Sequence, residues 1–189
     1  MPPRWDCRAA ADLIGRGPLA SAVAALRPVV KPLLYVETSV VSYLTARPSA
    51  SVVVAARQLL TRAWWETERD RYGLLVSAVV LAEAGRGDPA AAASRLGALK
   101  GIEAVAVSSE AERLARALMD TVPLPAKATT DALHIALAAV AGAELLLTWN
   151  FRHIANPTLR ERIARTCRSE GYTPPVLCTP EDLSEGLPL

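Results

Sequence analysis

The sequence predicts an α/β protein, a three-layer α/β/α sandwich around a central parallel sheet of four to five strands. Three observations predict it. Short apolar runs of strand length recur without the alternation of a one-sided sheet, and a stretch with helical spacing follows all but the last of them. The chain is 51% hydrophobic, rich in alanine and with a single phenylalanine, a composition that favours helices. With 189 residues, folding buries roughly 70% of the surface the unfolded chain exposes, enough to support a core.

Residues 1–32 are rich in Ala, Arg and Pro, show only broken periodicity and end at the breaker Lys31-Pro32. They are expected to be a separate N-terminal extension, disordered or not translated, of which residues 1–29 are dispensable, with Val30 a plausible start; residues 33–189 form the domain. Residues 33–36 read as a buried strand that ends in the polar Glu37-Thr38-Ser39. Ser51 stands where it can cap a helix running to about residue 71, with Val52, Ala55, Ala56, Leu59, Leu60 and Ala63 on its inner side. Of Trp64 and Trp65 on that helix, one is expected to pack inward and the other to stay partly exposed.

Residues 74–77 form a second apolar run, followed by a helical stretch that carries Glu83 and closes at Gly85-Arg86-Gly87-Asp88-Pro89. A helix over 89–99, a strand over 102–107 and a helix over 110–119 follow. Beyond the loop marked by Pro123 and Pro125, Thr129 or Thr130 is placed to cap a helix with Asp131 in its first turn and Gly142 just past its end. Residues 144–148 read as a fourth strand, 150–168 as loop then helix, and 176–178 as a fifth strand at the sheet edge.

Composition excludes several classes. Cys7, Cys167 and Cys178 are odd in number and widely spaced, with no pairing suited to zinc, and are expected to be reduced thiols in a cytoplasmic protein. The first residues carry charges and prolines unlike a secretory signal. The longest apolar stretch, 132–149, contains His134, Gly142 and Glu144, so no membrane span is expected. The net charge of +2 is too mild to indicate nucleic acid by itself. Arg152, Arg160, Arg162, Arg165 and Arg168 crowd one late segment, either to contact phosphates or simply as a solvated helix face.

The acids are more informative. Ligands of open parallel sheets collect beyond the carboxyl ends of the strands, and Glu37, Glu83, Asp131 and Asn150 all fall at that rim. Gathered carboxylates repel one another unless they share protons or hold cations, and Mg²⁺ or Mn²⁺ prefers such oxygen ligands. Two ions about 3.5–4 Å apart suit in-line phosphodiester hydrolysis. Taken singly, Asp131 could be only a helix-dipole partner and Glu83 a solvated helix residue; Glu37, directly after an apolar strand, needs a partner more. His134, three residues after Asp131 on the same helix face, could orient a carboxylate, touch substrate or be a hydrogen-bonded structural histidine.

Four segments in order, Tyr35-Val36-Glu37-Thr38-Ser39, Ser77-Ala78-Val79-Val80-Leu81-Ala82-Glu83, Asp131-Ala132-Leu133-His134 and Leu146-Leu147-Thr148-Trp149-Asn150-Phe151-Arg152-His153, carry a resemblance. Over residues 33–183 the chain resembles PIN-domain nucleases, in particular the VapC-type toxins of toxin–antitoxin systems. The resemblance implies a PIN-like sandwich and an endoribonuclease using Mg²⁺ or Mn²⁺ that leaves 3′-hydroxyl and 5′-phosphate ends. It implies Glu37, Glu83 and Asp131 as catalytic metal ligands and Asn150 as the fourth acidic-position residue, with Ser39 and Thr148 in supporting places; His134 and Arg152 are added as supporting or substrate-binding candidates from their positions beside these motifs. His153 matches a position with no assigned role. The implied partners are RNA, a small antitoxin protein whose peptide occupies the acidic groove, and a second copy in a homodimer. Glu37 departs from the family's usual Asp, reaching roughly 1.5 Å farther. Two rivals stand against this reading: a catalytically silent PIN module that binds RNA or protein, and an α/β phosphatase, for which the chain lacks a DxD signature on its first strand.

Overall fold

The computed structural model describes residues 31–184; the expectation of a dispensable N-terminal extension, like Cys7, lies outside the described residues. Five strands form one parallel sheet: β1 (Leu33–Val36), β2 (Gly73–Ser77), β3 (Glu103–Val105), β4 (Leu145–Leu147) and β5 (Val176–Cys178), in the order β3-β2-β1-β4-β5. Seven α-helices connect them among the described residues: α1 (Thr38–Thr45), α2 (Val52–Thr67), α3 (Ala78–Ala84), α4 (Pro89–Ala98), α5 (Ser109–Thr121), α6 (Thr129–Val140) and α7 (Arg160–Ser169). This is the α/β sandwich that the alternating runs predict, with the fifth strand at an edge as expected.

Consecutive strand residues point to opposite faces, and Leu34, Tyr35 and Val36 are all fully buried. Both faces of the central strand are therefore covered, which is why its sequence shows no alternation. Tyr35 lies opposite Leu75 of β2 and Leu146 of β4. Trp64, Leu114, Leu118, Ile135 and Ile163 supply the largest helix side chains of the core.

The strand order fixes where a site can form. The chain steps from β1 outward to β2 and β3, then returns to the other side of β1 for β4 and β5. Connections leaving β1 and β4 therefore diverge, opening a crevice beyond their carboxyl ends. Glu37 follows β1 directly, and its amide continues the ladder to Leu147 O at 3.0 Å. Thr148 follows β4 in the same way, its amide 2.9 Å from Cys178 O.

Several local expectations change. The segment after Glu37 is helical, so Glu37 is the N-cap residue of α1. The long helix turns a partly different face inward: Leu60 packs against the core as expected, but the buried residues are Gln58, Thr61, Trp64 and Trp65, whereas Val52, Val53 and Leu59 are among the most exposed large apolar residues. Thr61 and Gln58 can be buried because each has partners: Thr61 Oγ1 donates to Arg57 O and accepts from Trp149 Nε1, and Gln58 bridges Arg47 O and Ser49 N. Apolar spacing misplaced the stripe because these buried polar groups belong to it. Both tryptophans are inside, Trp65 beneath the Arg69 guanidinium at 5.3 Å. Ser51 occupies its N-cap position without a side-chain cap bond, and neither Thr129 nor Thr130 caps α6. Ala128 is its N-cap residue, and Thr129 donates back to Ala126 O. Side-chain caps come instead from Ser77, Asp88 and Ser108. Gly142 does end α6, with φ +71°.

Cys167 and Cys178 are free and buried; burial pushes their thiols up to about 11 and about 12, so both are inert at neutral pH. No helix of the described residues is long and apolar enough to cross a membrane.

Candidate active site

Glu37 lies at the carboxyl end of β1 and is 6% exposed. Such burial of a carboxylate is costly without donors, and two hydroxyls supply them to one oxygen. Its Oε2 accepts a hydrogen bond from Ser39 Oγ and another from Thr148 Oγ1 at 2.7 Å. Ser39 also accepts from the Trp149 amide at 2.8 Å, and Thr148 from the Asn150 amide at 2.9 Å. The two hydroxyls thus tie the ends of β1 and β4 together through Glu37.

Glu83 reaches the same place from α3. Its Oε2 accepts from Thr38 Oγ1 and lies 3.0 Å from His134 Nε2. The hydrogen bond from His134 holds the Glu83 carboxyl below the usual carboxylate range, with Thr38 acting in the same direction against partial burial. Glu83 is therefore the acceptor and Nε2–H the donor. On the other side of the ring, His134 Nδ1 is 2.9 Å from the Tyr35 hydroxyl, which in turn is 2.7 Å from Ser77 Oγ. Burial pushes the Tyr35 phenol far up, so it keeps its proton and can donate it to His134 Nδ1 in the tautomer that carries the ring proton on Nε2. Ser77 Oγ accepts from the Val80 amide, which leaves its own proton for Tyr35. The chain Ser77–Tyr35–His134–Glu83 then has one direction throughout. His134 orients Glu83, not the Asp131 on its own helix.

Asp131, in the first turn of α6, is engaged elsewhere. Its Oδ1 accepts from Asn150 Nδ2 at 2.9 Å and its Oδ2 lies 2.6 Å from His153 Nδ1. Asn150 Oδ1 accepts from the His153 amide at 3.1 Å. His153, for which the sequence offered no role, is thus a partner of Asp131. Arg152 is exposed; its carbonyl accepts from Asn156 Nδ2. Arg160, Arg162, Arg165 and Arg168 are exposed along α7.

Among the described residues, the group whose potential ligand atoms all lie within 4.8 Å of one another is Glu37, Glu83 and His134. Asp131 stands outside that group but joins it through Asn150 and Thr148. The donor set suits a hard cation. In both glutamates the protein donors converge on Oε2, and among the described residues Oε1 of each meets no donor. Two carboxylates held this close repel, and a divalent ion with oxygen preference resolves the repulsion. With Nε2 spent on Glu83, His134 supports a ligand more naturally than it serves as one. A groove of about 280 Å³ opens beside Glu83, lined also by Ala78, Val79, Arg86, Val107, Thr130 and Leu133. A larger one, about 600 Å³ and lined by Glu112, Met119, Asp120 and Leu133, holds none of the four candidate residues.

The family model of the PIN domain matches residues 34–157, which include Glu37, Glu83, Asp131 and Asn150. The chain belongs to the PIN-domain family. Its fold is also similar to that of a solved structure, Mycobacterium tuberculosis VapC20, described as a sarcin-ricin loop cleaving toxin. That similarity has a TM-score of 0.52 at 18% identity, covering 66% of this chain and 95% of that one. Rickettsia felis VapBC2 bound to a DNA fragment from their promoter is a more distant similarity, with a TM-score of 0.44 at 15% identity, covering 78% of this chain and 98% of that one. No curated protein sequence matches the chain.

Sequence reasoning missed Tyr35, Thr38 and Ser77 as parts of the site. Tyr35 reads as core from its apolar neighbours, and only the packing of β1 against β2 and α6 brings its hydroxyl to Ser77 and His134.

Proposed function

We propose that this PIN-domain protein is a metal-dependent endoribonuclease that hydrolyses RNA phosphodiester bonds in the cytosol, acting as the toxin of a toxin–antitoxin pair. The observation that carries the reading is the paired glutamates. Glu37 and Glu83 come from different elements, are each fixed through one oxygen by protein donors, and turn their other oxygens to no protein partner. A silent binding module has no need to hold two carboxylates in that state, where repulsion costs stability.

Glu37 and Glu83 would hold Mg²⁺ or Mn²⁺, with Asp131 as the third acid, reaching an ion directly through its remaining lone pairs or through water. A bound divalent ion supplies a nucleophile at neutral pH and offsets charge on the phosphate. The chain's own part is positional. Ser39 and Thr148 keep the Glu37 carboxylate from rotating, and His134 and Thr38 do the same for Glu83. Asn150 and His153 hold both oxygens of Asp131, so a substrate phosphate meets a preset arrangement. Thr148 and Ser39 follow β4 and β1 at the carboxyl rim, where ligands of open parallel sheets collect. The groove beside Glu83, with Arg86 at its edge, suits a peptide from a small antitoxin. A homodimer is the proposed state of the free protein.

Incubating the purified chain with total RNA in Mn²⁺ or in EDTA, then mapping the ends, tests the proposal. New 3′-hydroxyl and 5′-phosphate ends are expected only with the ion. Intact RNA under both conditions, with no Mn²⁺ binding in titration, supports the silent module instead.

A further inference from the structure

We propose that Phe151, together with the Arg57 guanidinium stacked on it, is a nucleobase-stacking site that holds a base of the substrate RNA beside the acidic cluster. The inference rests on the ribonuclease reading. Phe151 is the chain's one phenylalanine, yet it lies outside the core at 40% exposure. Arg57, from α2, places its guanidinium carbon 4.8 Å from the Phe151 ring centre and 5.5 Å from that of Trp149. Among the described residues Arg57 pairs with no carboxylate. An unneutralised guanidinium on a half-exposed ring matches what a nucleotide presents: a flat base to stack and a phosphate to neutralise.

The platform is rigid and tied to the site. Trp149, beneath it, is held by its amide on Ser39 Oγ at 2.8 Å and by its indole N–H on Thr61 Oγ1 at 2.8 Å. The Tyr43 and Phe151 rings flank it with centres 5.9 and 6.0 Å away. The same Ser39 hydroxyl donates to Glu37. Phe151 directly follows Asn150, which binds Asp131, and successive Cα atoms are about 3.8 Å apart. A base on this ring would be tied to the acidic cluster through Asn150 and Ser39, and its identity would influence which bond is cut. The cation also offsets the repulsion between the acids and an incoming polyanion. Val53, one turn before Arg57 on α2, is exposed, and an apolar residue there suits a protein as well as RNA. The stacked guanidinium at the edge of an acidic site favours RNA.

The test is equilibrium binding, by fluorescence anisotropy, of a short single-stranded RNA carrying all four bases and of a series with one abasic ribose at successive positions. It uses the full chain with Asp131→Asn, which leaves the RNA intact. Adding Phe151→Leu should weaken binding of the unmodified RNA by about 5- to 150-fold, the range for losing one base–aromatic stack, whereas Phe151→Trp should keep it. At one abasic position the RNA should lose a similar factor, and Phe151→Leu should then add nothing. Arg57→Gln should weaken binding of all sequences and lower the salt slope by about one, and it decides the matter should Phe151→Leu lower the thermal midpoint enough to unfold the chain. Unchanged RNA binding by Phe151→Leu assigns the ring to a protein partner or to packing and overturns the proposal, as does full additivity with every abasic position. In parallel, the unsubstituted chain is assayed for cutting in Mn²⁺. If it neither binds nor cuts RNA, the ribonuclease reading fails and this site with it; if it cuts and Phe151→Leu cuts and binds alike, only the stacking site falls.

Discussion

Thr148→Val is the sharpest test of how the site is held, because it removes one hydroxyl and almost nothing else. Thr148 is fully buried, and valine has nearly the same shape. The hydroxyl donates to Glu37 Oε2 at 2.7 Å and accepts from the Asn150 amide at 2.9 Å. A hydrogen bond to a charged group contributes about 1.5–3 kcal/mol, and a buried amide left without an acceptor costs about 1–3 kcal/mol. The added methyl returns about 0.8 kcal/mol through burial. After partial relaxation the net loss should be about 2–4 kcal/mol, which for a domain of this size lowers the midpoint by roughly 4–16 °C. Thermal and urea denaturation in EDTA read it directly, with Thr148→Ser, which keeps the hydroxyl, as the control. Cleavage should fall as well, because Glu37 keeps only Ser39 to orient it. A valine variant within about 1 kcal/mol of the parent, inside the spread of ordinary substitutions, would refute the claim that this hydroxyl anchors Glu37.

Three further outcomes follow from the same geometry. Asp131→Asn should abolish RNA cleavage; both oxygens of Asp131 accept from donors, so an amide NH₂ must face one of them, and even a switch of the His153 tautomer to accept it leaves a weaker, neutral bond in place of one to a charge. Stability should therefore drop by about 1–3 kcal/mol, measured by urea denaturation, whereas relief of repulsion between carboxylates alone would raise it. Glu37→Asp, shorter by roughly 1.5 Å, should cut slowly in Mg²⁺ and recover in part in Mn²⁺, and Glu37→Gln should stay inactive in both; a parent-like cleavage rate for Glu37→Gln would remove Glu37 from the site. Glu83 has a folded pKa below its ordinary value of 4.5, so its stabilising contribution is complete above pH 4.5 and disappears as pH falls through the lower folded value. The stability difference between the parent and Glu83→Gln in EDTA should narrow over that acid window, and a difference that widens there would contradict the His134 contact as the cause.

How far the site can be read from the sequence differs among its residues. Glu37 and Asn150 are legible because each follows an apolar strand, and in a parallel sheet strand ends share one rim whatever the packing. Asp131 is legible as a first-turn helix residue before a strand. The partners of these groups are not legible in the same way. His134 lies one helical turn from Asp131, so spacing pairs the two, yet its ring turns to Glu83, 51 residues earlier in the chain. His153 carries no local signal for its contact with Asp131, which depends on the loop after β4 folding back toward α6. Apolar spacing shows only part of the inner face of α2, because Gln58 and Thr61 become buriable only once Arg47, Ser49 and Trp149 supply their hydrogen bonds.

The sequence by itself determined the kind of fold, the order of strands along the chain and the presence of acids at the carboxyl rim, because strand length, helical period and breaker residues are local and the rim follows from parallel connection. Tertiary structure alone decided the spatial order of the strands, with β1 between β2 and β4, and so brought the Thr148 hydroxyl to Glu37. It also decided which oxygen of each carboxylate is occupied and which is turned to no protein donor. Those outcomes depend on contacts between residues far apart in the chain, whose donors and acceptors meet only when the sheet and its two helical layers close around them.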